Sequence, residues 1–517
     1  MIRKMMELAR KWHAGQFRNA PDGEIPPPYI VHPEAVAKNL LDWGEPENSE
    51  AVAIAWGHDL LEDTKISGEE ILAASNAEVL EGIRFLTRPK DIDKHLYLQK
   101  VAHRGSRDMI LVKLSDRIQN SRDFVKSEGV LRAFRYLHDA DCVFEAAKKL
   151  LSDPVLDRAV AAWEELDKCL RDDARHDAIR GCLLGGAAGD ALGAPVEFIS
   201  KTEIIRKYGK DGVSGYMEFA DGTGSITDDT QMALFTAEGI LRAETRSEER
   251  GICDPVAVMR YAYLRWLKTQ KGKIPSNTMK EALESGWLIR EKVLFVRRAP
   301  GMTCISALEN SRDGVTAAND RKGCGTVMRM APVGLFLNPD RAYDYGCRFS
   351  ALTHGHSTGI TAGGAFAMLI AGLLQGKPLE EALDLVMAQL EAQPDAAETL
   401  DALKKARTAE SISELGEGWV AEEALAIGVF CALKYPWDFR KGVLAAVNID
   451  GDSDSTASIA GNILGVVNGE SAIPKKWLSG LREYRIISHV ADDLWKRFEY
   501  GPEGHVTDEW WEKYPGF

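Results

Sequence analysis

Apolar residues in this chain recur three or four positions apart almost wherever a pattern can be read, and that is the period of a helix packed on one side. Residues 33–41 open with a proline suited to a first helical position and continue at that spacing. The same period runs through 50–61, 130–151, 230–243, 361–374 and 422–433. Strand signals are sparse. The apolar run 109–114 suits a buried strand or a helix, but the polar residues after it share one face only on a helix, so a helix is expected. The fold class expected is therefore all-α, with no internal repeat.

At 517 residues the chain is too long for one ordinary core, and size alone suggests domains of roughly 100–200 residues each. The clearest composition shift separates a charged segment, 167–175, from the small-residue run Gly181-Cys182-Leu183-Leu184-Gly185-Gly186-Ala187-Ala188-Gly189-Asp190. A boundary near Arg175 is expected, giving domains 1–174 and 175–517.

Charge narrows the partners. With 78 acidic against 64 basic residues the formal net charge is −14, which repels nucleic-acid backbones and anionic lipid. A phosphate-bearing substrate then needs a local cation, and a bound metal is one source. Eight cysteines contain no C-x-x-C pair, which excludes ribbon-type zinc sites and fits a reducing cytoplasm. The charged N-terminus lacks the apolar core of a signal peptide, and the apolar run 362–374 falls short of the roughly 20 residues that span a bilayer. Neither nucleic acid nor membrane is expected as a partner.

Three N-terminal pieces carry chemistry: Tyr29-Ile30-Val31-His32-Pro33, His58-Asp59-Leu60-Leu61-Glu62-Asp63-Thr64 and Lys113-Leu114-Ser115-Asp116-Arg117-Ile118-Gln119-Asn120. Imidazole with carboxylate suits manganese, iron or zinc. His58 and Asp59, adjacent on a helix, can straddle one ion while His32 and Asp116 arrive from other helices. Asp116 and Asn120 lie one turn apart. Glu62, one turn beyond His58, is then placed to activate or orient a water.

This ordered set, with His13-Ala14-Gly15-Gln16-Phe17-Arg18 ahead of it, resembles the HD-domain hydrolases of the Rel/Spo alarmone family, and the likeness covers about the first 125–150 residues. The resemblance implies a helical bundle holding one manganese ion on His32, His58, Asp59 and Asp116. It implies Glu62 and Asp63 as catalytic residues and Arg18 and Asn120 as nucleotide contacts. The reaction implied is removal of the 3′-pyrophosphate of guanosine tetra- or pentaphosphate. The chain reads Arg18-Asn19 where that family has a basic pair.

The C-terminal signals are acidic. Thr227-Asp228-Asp229-Thr230 and Asp450-Gly451-Asp452-Ser453-Asp454-Ser455-Thr456 each precede a helical pattern. Capping uses one such group, and here each cluster carries an excess of carboxylate. Converging, the two clusters offer hard oxygens alone, which select magnesium, manganese or calcium, and a pair of ions would offset the crowding. Further pieces are Gly189-Asp190-Ala191-Leu192-Gly193-Ala194-Pro195-Val196-Glu197-Phe198, Gly323-Cys324-Gly325-Thr326-Val327-Met328-Arg329 and Leu352-Thr353-His354-Gly355-His356. For His354 and His356 a polar-core role and a substrate contact are equally open.

Together these five pieces resemble the ADP-ribosylglycohydrolase family over about residues 176–470. The resemblance implies a larger all-α bundle with two magnesium or manganese ions on Thr227, Asp228, Asp229, Asp452, Asp454 and Ser455. Glu197, Asp229 and Asp452 would form the catalytic set, and Gly323, Cys324, Gly325 and Thr326 a loop against the substrate. The family commonly has Thr at Ser455 and Asn at Cys324. The implied reaction is hydrolysis at the anomeric carbon of ADP-ribose joined to a protein or small-molecule target, arginine-linked most commonly. Serine and other acceptors stay open.

The reading is thus a bifunctional hydrolase acting on an ADP-ribosylated target and on a guanosine or adenosine alarmone. A different class stays open: a toxin-immunity or ADP-ribose-binding module with the HD domain as a nucleotide sensor. So does an HD domain acting on another phosphorylated nucleotide.

Overall fold

Polar side chains at helix starts punctuate the chain. In the computed structural model, which describes residues 1–20, 24–150, 152–219, 222–498 and 507–516, Ser49 caps the helix Glu50–Gly57 and Asn76 caps Ala77–Leu86. Asp93 caps Lys94–Arg104, and Ser106 caps the helix Arg107–Ser127. Each side chain accepts a hydrogen bond from an N–H that the first helical turn leaves free. The run 109–114 lies inside Arg107–Ser127, so it is helix, as its polar neighbours require. The protein is all-α. Among the described residues the sheet content is one antiparallel pair, Glu218–Phe219 with Gly222–Thr223.

The chain forms two compact units, Met1–Ala174 and Arg175–Phe517. The division falls inside one helix, Pro154–Gly193, so the change from charged to small residues is not marked by a loop.

The first unit is a helical bundle around Trp56, Leu111, Leu114, Ile118 and Trp163, with Phe144 stacked on Trp163 at 5.2 Å. Two helices differ from the sequence pattern. The segment 50–61 breaks after Gly57 and resumes at Leu60–Asp63. The segment 130–151 is two helices, Val130–His138 and Asp141–Lys148, and Leu151 lies outside the described residues.

The second unit is built on three buried helices, Asp228–Arg250, Ser357–Leu374 and Ser453–Asn468. Ser357–Leu374 starts earlier than the run 362–374 suggests, and by length and composition it could cross a membrane, yet 83% of it is buried inside the protein. It is a core helix. The small-residue run explains how Pro154–Gly193 meets Ser453–Asn468. A Cβ at Gly181, Gly185, Gly189 or Gly193 would lie 2.4, 2.5, 2.1 or 2.3 Å from the carbonyl oxygens of Gly465, Gly461, Ala457 and Ser453 in turn. The two backbones touch along four helical turns, and only glycine permits that. This seam brings the end of one helix against Asp454 at the start of the other.

Ion pairs are buried in the same unit. Glu238 accepts from Arg265 Nε at 2.8 Å and lies 3.6 Å from Arg242, all without exposure to water. Arg298 pairs with Glu483 at 2.9 Å in the same way.

Candidate metal centres

In the first unit, four elements converge. His32 stands in the first turn of the helix Val31–Asp42. His58 and Asp59 occupy the turn between Glu50–Gly57 and Leu60–Asp63, rather than one continuous helix. Asp116 projects from the middle of Arg107–Ser127. His32 Nε2 lies 3.2 Å from Asp116 Oδ1 and 3.6 Å from Asp59 Oδ2, while His58 Nε2 is 3.2 Å from Asp59 Oδ2. Ligand atoms of His32, His58 and Asp59 all fall within 4.8 Å of one another, the spacing one ion would draw together.

The surroundings aim these groups inward. His58 Nδ1 faces the Ala55 carbonyl at 2.8 Å; a carbonyl only accepts, so Nδ1 carries the proton and Nε2 is turned to the cluster. His58 Nε2 is buried without a hydrogen-bond partner, as a metal ligand would be. Burial opposes charge on His58, but the Asp59 and Asp116 carboxylates outweigh it and push its pKa up to about 10. Asp116 is buried, which disfavours its charge, yet Lys113 at 2.8 Å and the two histidines hold its pKa well below the usual range.

Arg18 and Asn120 come together beside this group. Arg18 Nη2 donates to Asn120 Oδ1 at 2.6 Å, and Asn120 donates to Asp116 at 2.6 Å. Asp63 is joined to the cluster through Tyr29, whose hydroxyl lies 2.6 Å from Asp63 Oδ2 and 2.8 Å from Asp59 Oδ2. Its single proton is shared between the two carboxylates. Glu62 lies in the short helix Leu60–Asp63 just beyond the turn at His58 and Asp59, and its carboxylate accepts from the Arg88 N–H at 3.0 Å. Tyr29 is the residue that motif reading passes over, although it lies within the quoted Tyr29–Pro33 piece.

In the second unit, two helix starts face each other. Asp228 and Asp229 form the first turn of Asp228–Arg250, and Asp452 caps Ser453–Asn468, accepting from the Ser455 N–H at 3.2 Å. Glu197 follows the turn Ala194–Val196 at the end of the glycine seam. Ligand oxygens of Glu197, Asp452 and Asp454 lie within 4.8 Å of one another. With Asp228, Asp229, Cys324, His354 and Ser455 they line a cavity of about 150 Å³.

Five carboxylates in one cleft suppress one another's charge. Burial first, then neighbouring carboxylates, push Glu197 up to about 9 and Asp228 up to about 8, and raise Asp229 and Asp454 strongly. Asp229 Oδ2 and Glu197 Oε2 are buried without partners. An all-oxygen set of this kind fits hard divalent cations, which would offset the repulsion. Cys324 Sγ donates to Asp452 Oδ2 at 2.9 Å; burial and that carboxylate raise its pKa far above normal, so it stays a thiol. His354 is buried and close to Arg329, which lowers its pKa to about 3 and keeps it neutral.

Three expected residues do not line this cavity. Thr227 does not line the cavity: its hydroxyl accepts from the Asp229 N–H at 3.3 Å as the helix cap. Thr326 is buried at the end of the turn Cys324–Thr326, behind Gly323, Cys324 and Gly325, which do line it. His356 caps Ser357–Leu374 by accepting from the Thr358 N–H at 3.1 Å, and only His354 reaches the cavity.

Other residues of the cleft escape sequence reading. Asp190, hidden in the small-residue run, accepts from the N–H groups of Thr227 and Thr230 and from the Thr230 hydroxyl. Gly301 donates its N–H to Asp228 Oδ2 at 3.1 Å, and the lining residue Ala299 holds a left-handed φ of 50°. Such a backbone costs a non-glycine residue roughly 1–2 kcal/mol and carries no sequence signal here.

Residues 171–503 match the family described as ADP-ribosylglycohydrolase. The ADP-ribosylarginine hydrolase Tri1 of Pseudomonas putida (strain GB-1) is 26% identical over 347 residues, covering 65% of this chain and 82% of that protein. The ADP-ribosyl-[dinitrogen reductase] glycohydrolase of Rhodospirillum rubrum is 25% identical over 319 residues, 59% of this chain and 90% of its own. The N-terminal region is similar to the guanosine-3′,5′-bis(diphosphate) 3′-pyrophosphohydrolase MESH1 of Danio rerio, 32% identical over 126 residues, 24% of this chain and 68% of that protein. The chain belongs to the ADP-ribosylglycohydrolase family through residues 171–503, and its N-terminal region to the family of guanosine-bis(diphosphate) pyrophosphohydrolases.

Proposed function

We propose that the protein is a bifunctional hydrolase: the second unit releases ADP-ribose from a modified target, arginine-linked by preference, and the first removes the 3′-pyrophosphate of guanosine tetraphosphate-like nucleotides. One observation carries the first half, the convergence of Glu197, Asp452 and Asp454 within 4.8 Å in a cleft that also holds Asp228 and Asp229. The name of the Pseudomonas putida relative, an ADP-ribosylarginine hydrolase, supports the arginine preference.

Asp228, Asp229, Asp452, Asp454 and Ser455 would hold two magnesium or manganese ions, and His32, His58, Asp59 and Asp116 one manganese. Bound there, such ions supply Lewis-acid polarisation and a positive centre for hydroxyl and phosphate oxygens. The protein supplies the rest. The cavity of about 150 Å³ presents these carboxylates to a bound sugar. Once cations offset the crowding and release their protons, Glu197 Oε2 and Asp229 Oδ2, which have no hydrogen-bond partners, would take a proton from the attacking water. The remaining carboxylates favour the positive charge that develops on the ribose as the bond to the acceptor breaks. Neutral His354 offers a hydrogen bond without adding charge.

In the first unit, Asp63, linked to Asp59 by Tyr29, would orient water toward phosphorus. The oxygen of water joins phosphorus and the ribose 3′-oxygen leaves, giving pyrophosphate and the nucleoside diphosphate. Arg18, held by Asn120 at 2.6 Å and Asp123 at 3.0 Å, would contact the substrate phosphates.

The test uses the full chain with manganese or magnesium, ADP-ribosyl-arginine and guanosine tetraphosphate, and follows both products by chromatography. Release of ADP-ribose should vanish in the double variant Asp228→Ala, Asp454→Ala, and release of pyrophosphate in Asp59→Ala. A wild-type protein that releases neither product sinks the proposal.

A further inference from the structure

Phe198 and Trp419 stack on each other, with ring centroids 5.7 Å apart and planes 17° from parallel. Yet Phe198 is 75% exposed and Trp419 37% exposed. Two large apolar rings left in water are not a core feature, and the surrounding chain ties them to the cleft. Phe198 directly follows Glu197. The Trp419 carbonyl accepts from the Cys324 N–H at 3.2 Å, and the Glu417 carbonyl accepts from the Asp452 N–H at 2.8 Å. The rings therefore stand on the same segments that carry Glu197, Cys324 and Asp452.

Their charge environment selects what they take. The Trp419 indole N–H donates to Glu417 Oε2 at 3.1 Å, which places a carboxylate at the ring edge. An aromatic face is negative already, and a carboxylate at its rim deepens that potential. A flat cation gains most from such a face, and guanidinium stacks on indole where an ammonium cannot. An anionic group is repelled.

We infer that Phe198 and Trp419 form the acceptor subsite, stacking on the guanidinium of ADP-ribosylated arginine while the ribose sits in the cleft below. The assignment rests on the ADP-ribosyl hydrolase reading above. It makes both rings specificity-determining residues, apart from the carboxylates that bind ions.

The experiment measures initial rates of the full chain on ADP-ribosyl-arginine and ADP-ribosyl-serine peptides, and the inhibition constant of free ADP-ribose, which lacks an acceptor. Phe198→Leu and Trp419→Leu should each raise KM for the arginine peptide about tenfold with kcat within about twofold. KM for the serine peptide and the ADP-ribose constant should stay within about twofold, and Trp419→Phe should keep most of the wild-type KM. Manganese binding measured by calorimetry should be unchanged, which separates a lost contact from a collapsed cleft. If the ADP-ribose constant rises in step with KM, the rings hold the nucleotide and the assignment is overturned. It is overturned equally if both leucine variants lose manganese, or if wild type acts on the serine peptide alone. A wild-type protein that releases ADP-ribose from neither peptide overturns the hydrolase reading itself, and the subsite with it.

Discussion

Asp190 and Thr230 are tied twice: the buried carboxylate accepts from the Thr230 N–H at 3.2 Å and from its hydroxyl at 2.5 Å. Asp190 also accepts from the Thr227 N–H at 3.0 Å, so it grips the helix turn that presents Asp228 and Asp229 without lining the cavity itself. A group that orients ligands in this way is usually worth about 10–100-fold in metal affinity. Asp190→Ala should weaken manganese binding at the second site by about that factor and leave pyrophosphate release unchanged. Calorimetric titration checks it; unaltered affinity would show that the turn holds its shape unaided.

Acidity gives a second prediction. Burial and neighbouring carboxylates raise Asp228 to about 8 and Glu197 to about 9, whereas unfolded carboxylates titrate near pH 4. Between about pH 4 and those values the folded, metal-free protein keeps protons that the unfolded chain has released, so its stability falls as pH rises. In EDTA the Tm should drop between about pH 5.5 and pH 8, and magnesium or manganese should restore more at the higher pH. A metal-free Tm that climbs over that interval contradicts the assignment.

Tyr29 supplies the one hydroxyl proton shared by Asp59 and Asp63. Without it two carboxylates face each other unshielded. Tyr29→Phe should lower guanosine tetraphosphate hydrolysis by about 10–100-fold and leave ADP-ribose release at the wild-type rate. Parallel assays on one preparation make the comparison, and an equal fall in both rates would point to a general loss of fold.

Glu238 is the shared carboxylate of a fully buried group with Arg265 and Arg242. Removing its charge strands cations away from water, which typically costs about 3–5 kcal/mol. Glu238→Gln should show that loss in chemical denaturation, with manganese affinity in the surviving folded protein unchanged. A cost below about 1 kcal/mol would mean that water or other groups compensate.

How much of this was legible in the sequence follows from locality. The acidic pairs Asp228–Asp229 and Asp452–Asp454 can be read because each lies within three residues and exceeds what a helix cap uses. Their elements were readable for the same reason, although both helices begin at the clusters rather than after them. For Thr227 and His356 a cap and a ligand use the same residue types, and only the third dimension shows which N–H each accepts from. Nothing in 50–63 announces the turn at His58 and Asp59. Asp190 resembles a member of a packing run, and Ala299 adopts a backbone that sequence statistics would give to glycine. The grip of one element on another has no local pattern to betray it.

The seam from Gly181 to Gly193 works as a ruler without a vernier. Side chains at an ordinary helix contact change rotamer to absorb a substitution, whereas here main chain rests on main chain at four successive turns. One added methyl cannot be accommodated locally and must separate the helices, shifting Glu197 and Asp454 apart. The most tightly constrained positions in this half of the molecule are therefore four glycines that do not line the cavity at all.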